Sequence, residues 1–213
     1  EKAWNKTDAA HKESVRRVIE LAKEFDEVVG GNNTLDAIRG SILNAHYTST
    51  AVIDAIYKGL SRLGFKGGNI LEPSAGIGNF LTYMPAGIKG KSNITAVELD
   101  VLTGNILKAI HDNARVQISG IENAQVANNS QDLVISNIPF GNYKVYDKNF
   151  KGEKSQFLNR IHNYFFAKAI DQAREGGLIA FVTSKGVLDA PGNANIREYC
   201  PTTRLQRQPI PKL

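Results

Sequence analysis

Apolar positions between residues 8 and 29 recur at spacings of three and four. Val15, Val18, Ile19, Ala22, Phe25 and Val29 share one face, which predicts an amphipathic helix. Gly30-Gly31-Asn32-Asn33 stops it. A short helix is predicted over residues 34–43 with Thr34 as its N-cap, followed by a loop over residues 44–48. A further helix starts near Ser49, which can cap it. This helix points Val52, Ile53, Ile56, Tyr57, Leu60 and Leu63 inward until Gly64 and Gly67-Gly68 end it.

Beyond Gly68 the pattern becomes an alternation of short strands and helices. Strands are predicted at residues 69–71, 93–97, 115–118, 132–136 and 178–183. Helices are predicted at residues 78–83, 100–111 and 155–174, the last carrying Phe157, Ile161, Phe165, Phe166, Ala169 and Ile170. Gly176-Gly177 reads as the break before the fifth strand, and residues 137–154 as a long polar loop. Strands apolar on both faces, alternating with helices, predict a doubly wound, mostly parallel α/β sheet covered on both sides. The expected organisation is an N-terminal helical extension at residues 1–45, an α/β domain at 46–199 and an irregular, proline-containing tail at 200–213.

Composition narrows the class. The chain has 213 residues, 42% hydrophobic and 22% charged, which suits an ordered globular protein. No apolar run approaches the ~20 residues that span a bilayer, and the first residues lack an apolar signal core. Cys200 is the one cysteine, so an intrachain disulfide is excluded and a reducing, cytoplasmic setting is expected. The histidines His11, His46, His111 and His162 lack metal-ligand spacing, and no metal is expected. A net charge of +5 is compatible with a polyanionic partner without establishing one.

Candidate chemistry gathers at strand ends. Leu71-Glu72-Pro73-Ser74-Ala75-Gly76-Ile77-Gly78-Asn79-Phe80 joins the first predicted strand to a helix. In a doubly wound sheet, ligands sit outside the carboxyl ends of the strands. The GxxxxGK[ST] phosphate loop is absent, and Leu81 stands where a dinucleotide fingerprint needs its third glycine. Glu72 would repel a pyrophosphate but suits an ammonium or sulfonium. Glu98, 26 positions after Glu72, sits at the tip of the second strand, where such folds bind ribose hydroxyls. Asp100 reads as a helix-start charge. The fourth strand runs into Asn137-Ile138-Pro139-Phe140, which offers an amide acceptor, a stiff loop and a flat ring able to hold a planar amine.

Taken together, these segments resemble the class I S-adenosylmethionine-dependent methyltransferases, specifically the amino-methylating branch that includes N6-adenine DNA methyltransferases. Glu72-Pro73-Ser74-Ala75-Gly76-Ile77-Gly78-Asn79-Phe80 is similar to the family's Asp-Pro-x-x-Gly-x-Gly-x-Phe motif. Asn137-Ile138-Pro139-Phe140 is similar to the catalytic (Asp/Asn/Ser)-Pro-Pro-(Tyr/Phe/Trp) motif, with Ile138 in place of the first proline. His46-Tyr47-Thr48, ahead of the glycine loop, resembles the Phe-Tyr-Thr-Pro element in the motif order of the gamma group. The likeness covers residues 44 to 189. More narrowly, residues 136–145, 161–166 and 183–186 resemble methylase domains attached to helicases in large proteins of plasmids and conjugative elements.

The resemblance implies S-adenosylmethionine as cofactor. Tyr47 and Thr48 would hold its carboxylate, and Glu72, Ser74, Gly76, Gly78 and Phe80 would form the glycine-loop side. Glu98 and Leu99 would bind the ribose side, and Glu122 would receive the adenine amine. Asn137 and the Ile138 carbonyl would accept from the target N6 amine, with Pro139 stiffening the loop and Phe140 stacking on the flipped base. DNA is the implied partner. The basic loop with Lys144, Lys148, Lys151 and Lys154, against Asp147 and Glu153, is expected to face it. Few residues follow the fifth strand, so target choice is expected to need a separate recognition or helicase domain. Two other readings stand beside this one. The first is methylation of a protein glutamine or an RNA base. The second is a degenerate DNA-binding or interaction module.

Overall fold

The computed structural model describes Arg16, Glu20, Lys23, Glu24 and residues 48–200 except Phe140 and Asn142. Of the helix expected at residues 8–29, the four described residues are helical, and Arg16 pairs with Glu20 one turn on at 3.3 Å. The rest of that helix, the helix expected at 34–43, Tyr47 and the tail beyond Cys200 lie outside the described residues.

Five strands form one sheet, all pairings parallel, in the order β3-β2-β1-β4-β5. They are β1 (Asn69–Glu72), β2 (Asn93–Glu98), β3 (Ala114–Ile118), β4 (Gln131–Asn137) and β5 (Ala173–Val182). The helices between them are α1 (Thr50–Arg62), α2 (Asn79–Thr82), α3 (Ala86–Lys89), α4 (Val101–Ile110) and α5 (Ile161–Gln172). Beyond β5 come α6 (Gly186–Asp189), a 3-10 turn (Pro191–Asn193) and α7 (Ala194–Tyr199). No helix among the described residues is long and apolar enough to cross a membrane.

Both faces of the sheet are covered, as the apolar strands demand. One core gathers Ile53, Tyr57, Leu60, Ile70, Phe80, Leu107 and Leu133. The other gathers Leu71, Val134, Ile138, Phe157, Tyr164 and Phe165. Chain order reverses across β1: β2 lies on one side and β4 on the other. Connections on the two sides leave in opposite directions, so a crevice opens at the carboxyl ends of β1 and β4.

Several local expectations are corrected. Leu63, placed inward by the helical pattern, is 65% exposed because α1 ends at Arg62. Ser49 is the N-cap of α1 through its backbone carbonyl, which accepts from Val52 and Ile53; its side chain makes no capping bond. The helix expected over residues 155–174 begins at Ile161; ahead of it runs a 3-10 turn, Gly152–Asn159. Gly176-Gly177 does not break the chain but lies inside β5. A Cβ on Gly177 would stand 2.8 Å from the Gln131 carbonyl, and the β4–β5 register shifts between Gln131 and Leu133. The glycines let the two backbones close up at this irregularity.

Candidate functional site

The loop after β1 turns on two left-handed glycines. Gly76 has φ +56° and Gly78 φ +84°, a region costly for residues with a Cβ. They serve different ends. A Cβ on Gly76 would meet nothing within 4 Å, so this backbone borders open space. A Cβ on Gly78 would come within 2.5 Å of His111 Nε2 and 2.7 Å of Leu107 Cδ1. Gly78 therefore lets the loop settle onto α4. His111, 3% exposed, lies beneath it with Nε2 3.3 Å from Thr82 Oγ1. Burial, then Lys89, lowers the His111 pKa, which favours the neutral imidazole. From α1, the Tyr57 hydroxyl donates to the Phe80 carbonyl at 2.9 Å, clamping the far end of the loop. Tyr57 and His111 are supports that sequence reasoning missed. Tyr57 reads as one more apolar-face residue, and nothing in the spacing of His111 links it to Gly78.

Two carboxylates meet at this loop. Glu98, the last residue of β2, accepts from Gly76 N at 2.7 Å and from Asp100 N at 2.8 Å. It fixes the loop and the start of the next helix together. Asp100 is the N-cap of α4, as its position predicts, and accepts from Thr103 N at 2.8 Å. Glu72, the last residue of β1, is 1% exposed, and its Oε2 has no hydrogen-bond partner among the described residues. Burial, then the Glu98 carboxylate, pushes its pKa well above the usual carboxylate range. A buried acid with an orphaned oxygen beside a second acid is satisfied by a cationic group or a donor.

Across the switch point, β4 ends at Asn137, which is paired in register with Val182 of β5. Ser136 Oγ donates to the Ser74 carbonyl at 3.1 Å, so the two loops are joined directly. Ile138 is fully buried in the core, and its N–H donates to the Val182 carbonyl at 3.2 Å. Proline has no such N–H. The isoleucine therefore exchanges ring stiffness for one more ladder hydrogen bond and a buried side chain. Pro139 is half-buried beside it.

The structure gathers most, but not all, of the expected site residues. Glu72, Ser74, Gly76, Gly78, Glu98, Asn137, Ile138 and Pro139 converge on the carboxyl ends of β1, β2 and β4. Leu99 follows Glu98 and is 72% exposed, an apolar side chain facing solvent at the same end. Phe80 is 2% exposed in the core beneath the loop. Thr48 is half-buried just ahead of α1. Glu122 follows β3, and its Oε1 accepts from Asn123 Nδ2 at 3.1 Å. Tyr47 and Phe140 lie outside the described residues. Among the described residues no cluster of three or more His, Cys, Asp or Glu side chains is placed to hold a metal ion.

The loop expected to offer four lysines offers three. Lys154 Nζ lies 2.6 Å from Asp171 Oδ1 and is committed to α5. Asp147 is not solvated either. It is 3% exposed and accepts from Tyr164 Oη and Lys168 Nζ, each at 2.8 Å.

No family model matches the sequence. The defence against restriction protein B of Escherichia phage P1 is 28% identical over 182 residues, which is 83% of this chain and 8% of that protein. The chain thus spans under a tenth of the length of this relative. Among solved structures, a modification subunit of a type I restriction enzyme from Vibrio vulnificus aligns with TM-score 0.59 and 16% identity. The alignment covers 86% of this chain and 43% of that one. An S-adenosylmethionine-dependent O-methyltransferase from Thermotoga maritima aligns with TM-score 0.52 and 13% identity, covering 76% and 55%. The chain has the Rossmann-like fold of the S-adenosylmethionine-dependent methyltransferases.

Proposed function

We propose that the chain is the catalytic part of an S-adenosylmethionine-dependent methyltransferase acting on the N6 amine of adenine in DNA. The observation that carries this reading is the juxtaposition at the switch point. Asn137-Ile138-Pro139 ends β4 beside the glycine loop, to which Ser136 binds directly. The names of the phage relative and of the Vibrio modification subunit, both tied to restriction, favour DNA over other acceptors.

The residues fit the cofactor. Glu72 presents a buried, unpartnered oxygen where a cation is wanted, and Gly76 leaves room for close approach. Glu98 would bind the ribose hydroxyls and Leu99 would give an apolar contact, and Thr48, Tyr47 and Glu122 are the further residues the resemblance assigns to the cofactor. Bound there, S-adenosylmethionine supplies an electrophilic methyl group. Asn137 and the Ile138 carbonyl accept the two N–H groups of the adenine amine, which directs its lone pair at that methyl. Phe140, by the resemblance, would stack on the base. The methylated ammonium is acidic and releases its proton to water, so positioning and electrostatics do the catalysis. Sequence choice comes from other parts of a longer protein or from a partner.

Radiolabelled methyl transfer to unmethylated DNA, followed by nucleoside analysis, tests this. The label is expected in N6-methyldeoxyadenosine, with Asn137→Ala reducing it on the order of a hundredfold. Label in protein or RNA and not in DNA would overturn the substrate. One observation favours a non-catalytic module instead: both Glu98 oxygens already accept backbone N–H groups. Retained DNA binding with no cofactor binding would support that module.

A further inference from the structure

Residues 143–151 alternate between buried anchors and exposed groups. Val145 N donates to the Leu158 carbonyl at 2.9 Å, and its side chain packs on the core. Asp147 is held from beneath by Tyr164 and Lys168. Burial pulls its pKa up, but the hydrogen bonds from Lys168, Asn149 and Tyr164 outweigh this and lower it, so the anchor is charged. Phe150 is 4% exposed and meets the Tyr164 ring edge-on, with centroids 4.9 Å apart. Between these anchors Tyr146 is 83% exposed, and Tyr143, just ahead of them, is 52% exposed. Lys144, Lys148 and Lys151 are exposed and form no ion pair among the described residues; the one acid in the stretch is the buried Asp147, and the exposed Glu153 lies two residues beyond its end.

The ledge starts at the methyl-transfer loop. A Cβ on Gly141 would lie 2.8 Å from Tyr143 Cε1, so the Tyr143 ring rests on the backbone four residues beyond Asn137. Single exposed aromatics are ordinary on protein surfaces. Here two of them stand three residues apart on a segment fixed at Val145, Asp147 and Phe150, interleaved with free cations. Aromatic faces for bases and ammonium groups for phosphates are the two contacts that hold an unpaired strand.

We propose that Tyr143 and Tyr146, with Lys144, Lys148 and Lys151, form a stacking ledge for unpaired DNA nucleotides next to the methyl-transfer site. The ledge selects single-stranded or locally opened DNA over intact duplex. The inference rests on the DNA methyltransferase reading and adds the state of the strand to it.

Fluorescence anisotropy of the full chain with a labelled single-stranded oligonucleotide and with its duplex, across a salt series, tests the ledge. The single strand is expected to bind more tightly. Tyr146→Ala is expected to weaken it roughly tenfold at every salt concentration, while Tyr146→Phe restores it. Changing the three lysines to glutamine is expected to reduce the slope of log K against log salt by about 2 while leaving the Tyr146 effect in place. No binding of the single strand, equal affinity for duplex, or no effect of Tyr146→Ala would each overturn the proposal. Calorimetry with S-adenosylmethionine separates the two readings. Cofactor binding alongside an ineffective Tyr146→Ala removes the ledge alone. Absent cofactor binding removes the methyltransferase reading, while the oligonucleotide data still decide the ledge.

Discussion

Glu72 concentrates the tension of the site. It is an acid with almost no exposure, an unpartnered oxygen and a second carboxylate nearby. Its pKa is raised on folding, so its contribution to stability is full below the ordinary carboxylate range. That contribution is lost as pH rises through the elevated value. At neutral pH the group therefore costs stability that a bound cation would return. Glu72→Gln is expected to raise the melting temperature by several degrees at neutral pH and to flatten its decline from acid to neutral pH. The same change should weaken S-adenosylmethionine. Paired thermal scans and titrations check this; a variant less stable than the parent at neutral pH would show that the carboxylate is already well satisfied. Ile138 is a second residue whose meaning needed the fold. As a string it is a missing proline, whereas in the sheet its N–H extends the ladder to Val182.

At the scale of elements, the strands were legible because buried parallel strands are short apolar runs bounded by turns. All five predicted strands exist, and the ends of β1, β2 and β4 carry the residues expected of them. The failures have separate physical origins. A 3-10 turn places side chains at i and i+3 on one side, so Gly152–Asn159 mimics the start of α5. The single turn α3 is too short for a periodic signal, whereas the equally short α2 is placed by the glycine loop ahead of it. Lys154 and Asp147 read as loop charges because their partners, Asp171 and Lys168, are 17 and 21 residues away. The Asp147 anchor gives this scale its prediction. Asp147→Ala strands Lys168, whose side chain is 12% exposed, and the buried Tyr164 hydroxyl. A loss of about 3 kcal/mol is expected in urea unfolding. In the parent, this lowered pKa contributes stability above the ordinary carboxylate range, lost as pH falls through the depressed value. An unchanged midpoint would mean that the loop is held by its apolar anchors alone.

For the whole molecule, the arrangement is a division of labour across β1. The β2 side brings Glu98 and the exposed Leu99, β1 brings the glycine loop and Glu72, and the β4 side brings Asn137, Ile138 and the tyrosine-lysine segment. On the proposed function, the two sites that would meet at a transferred methyl group are built on opposite flanks of a single switch point. The central claim is that this crevice binds S-adenosylmethionine. Calorimetric titration of the chain with that compound, with Glu98→Ala in parallel and circular dichroism confirming that both are folded, tests it most directly. The account predicts saturable micromolar binding by the parent that is lost in the variant. A folded parent that takes up no S-adenosylmethionine would contradict it.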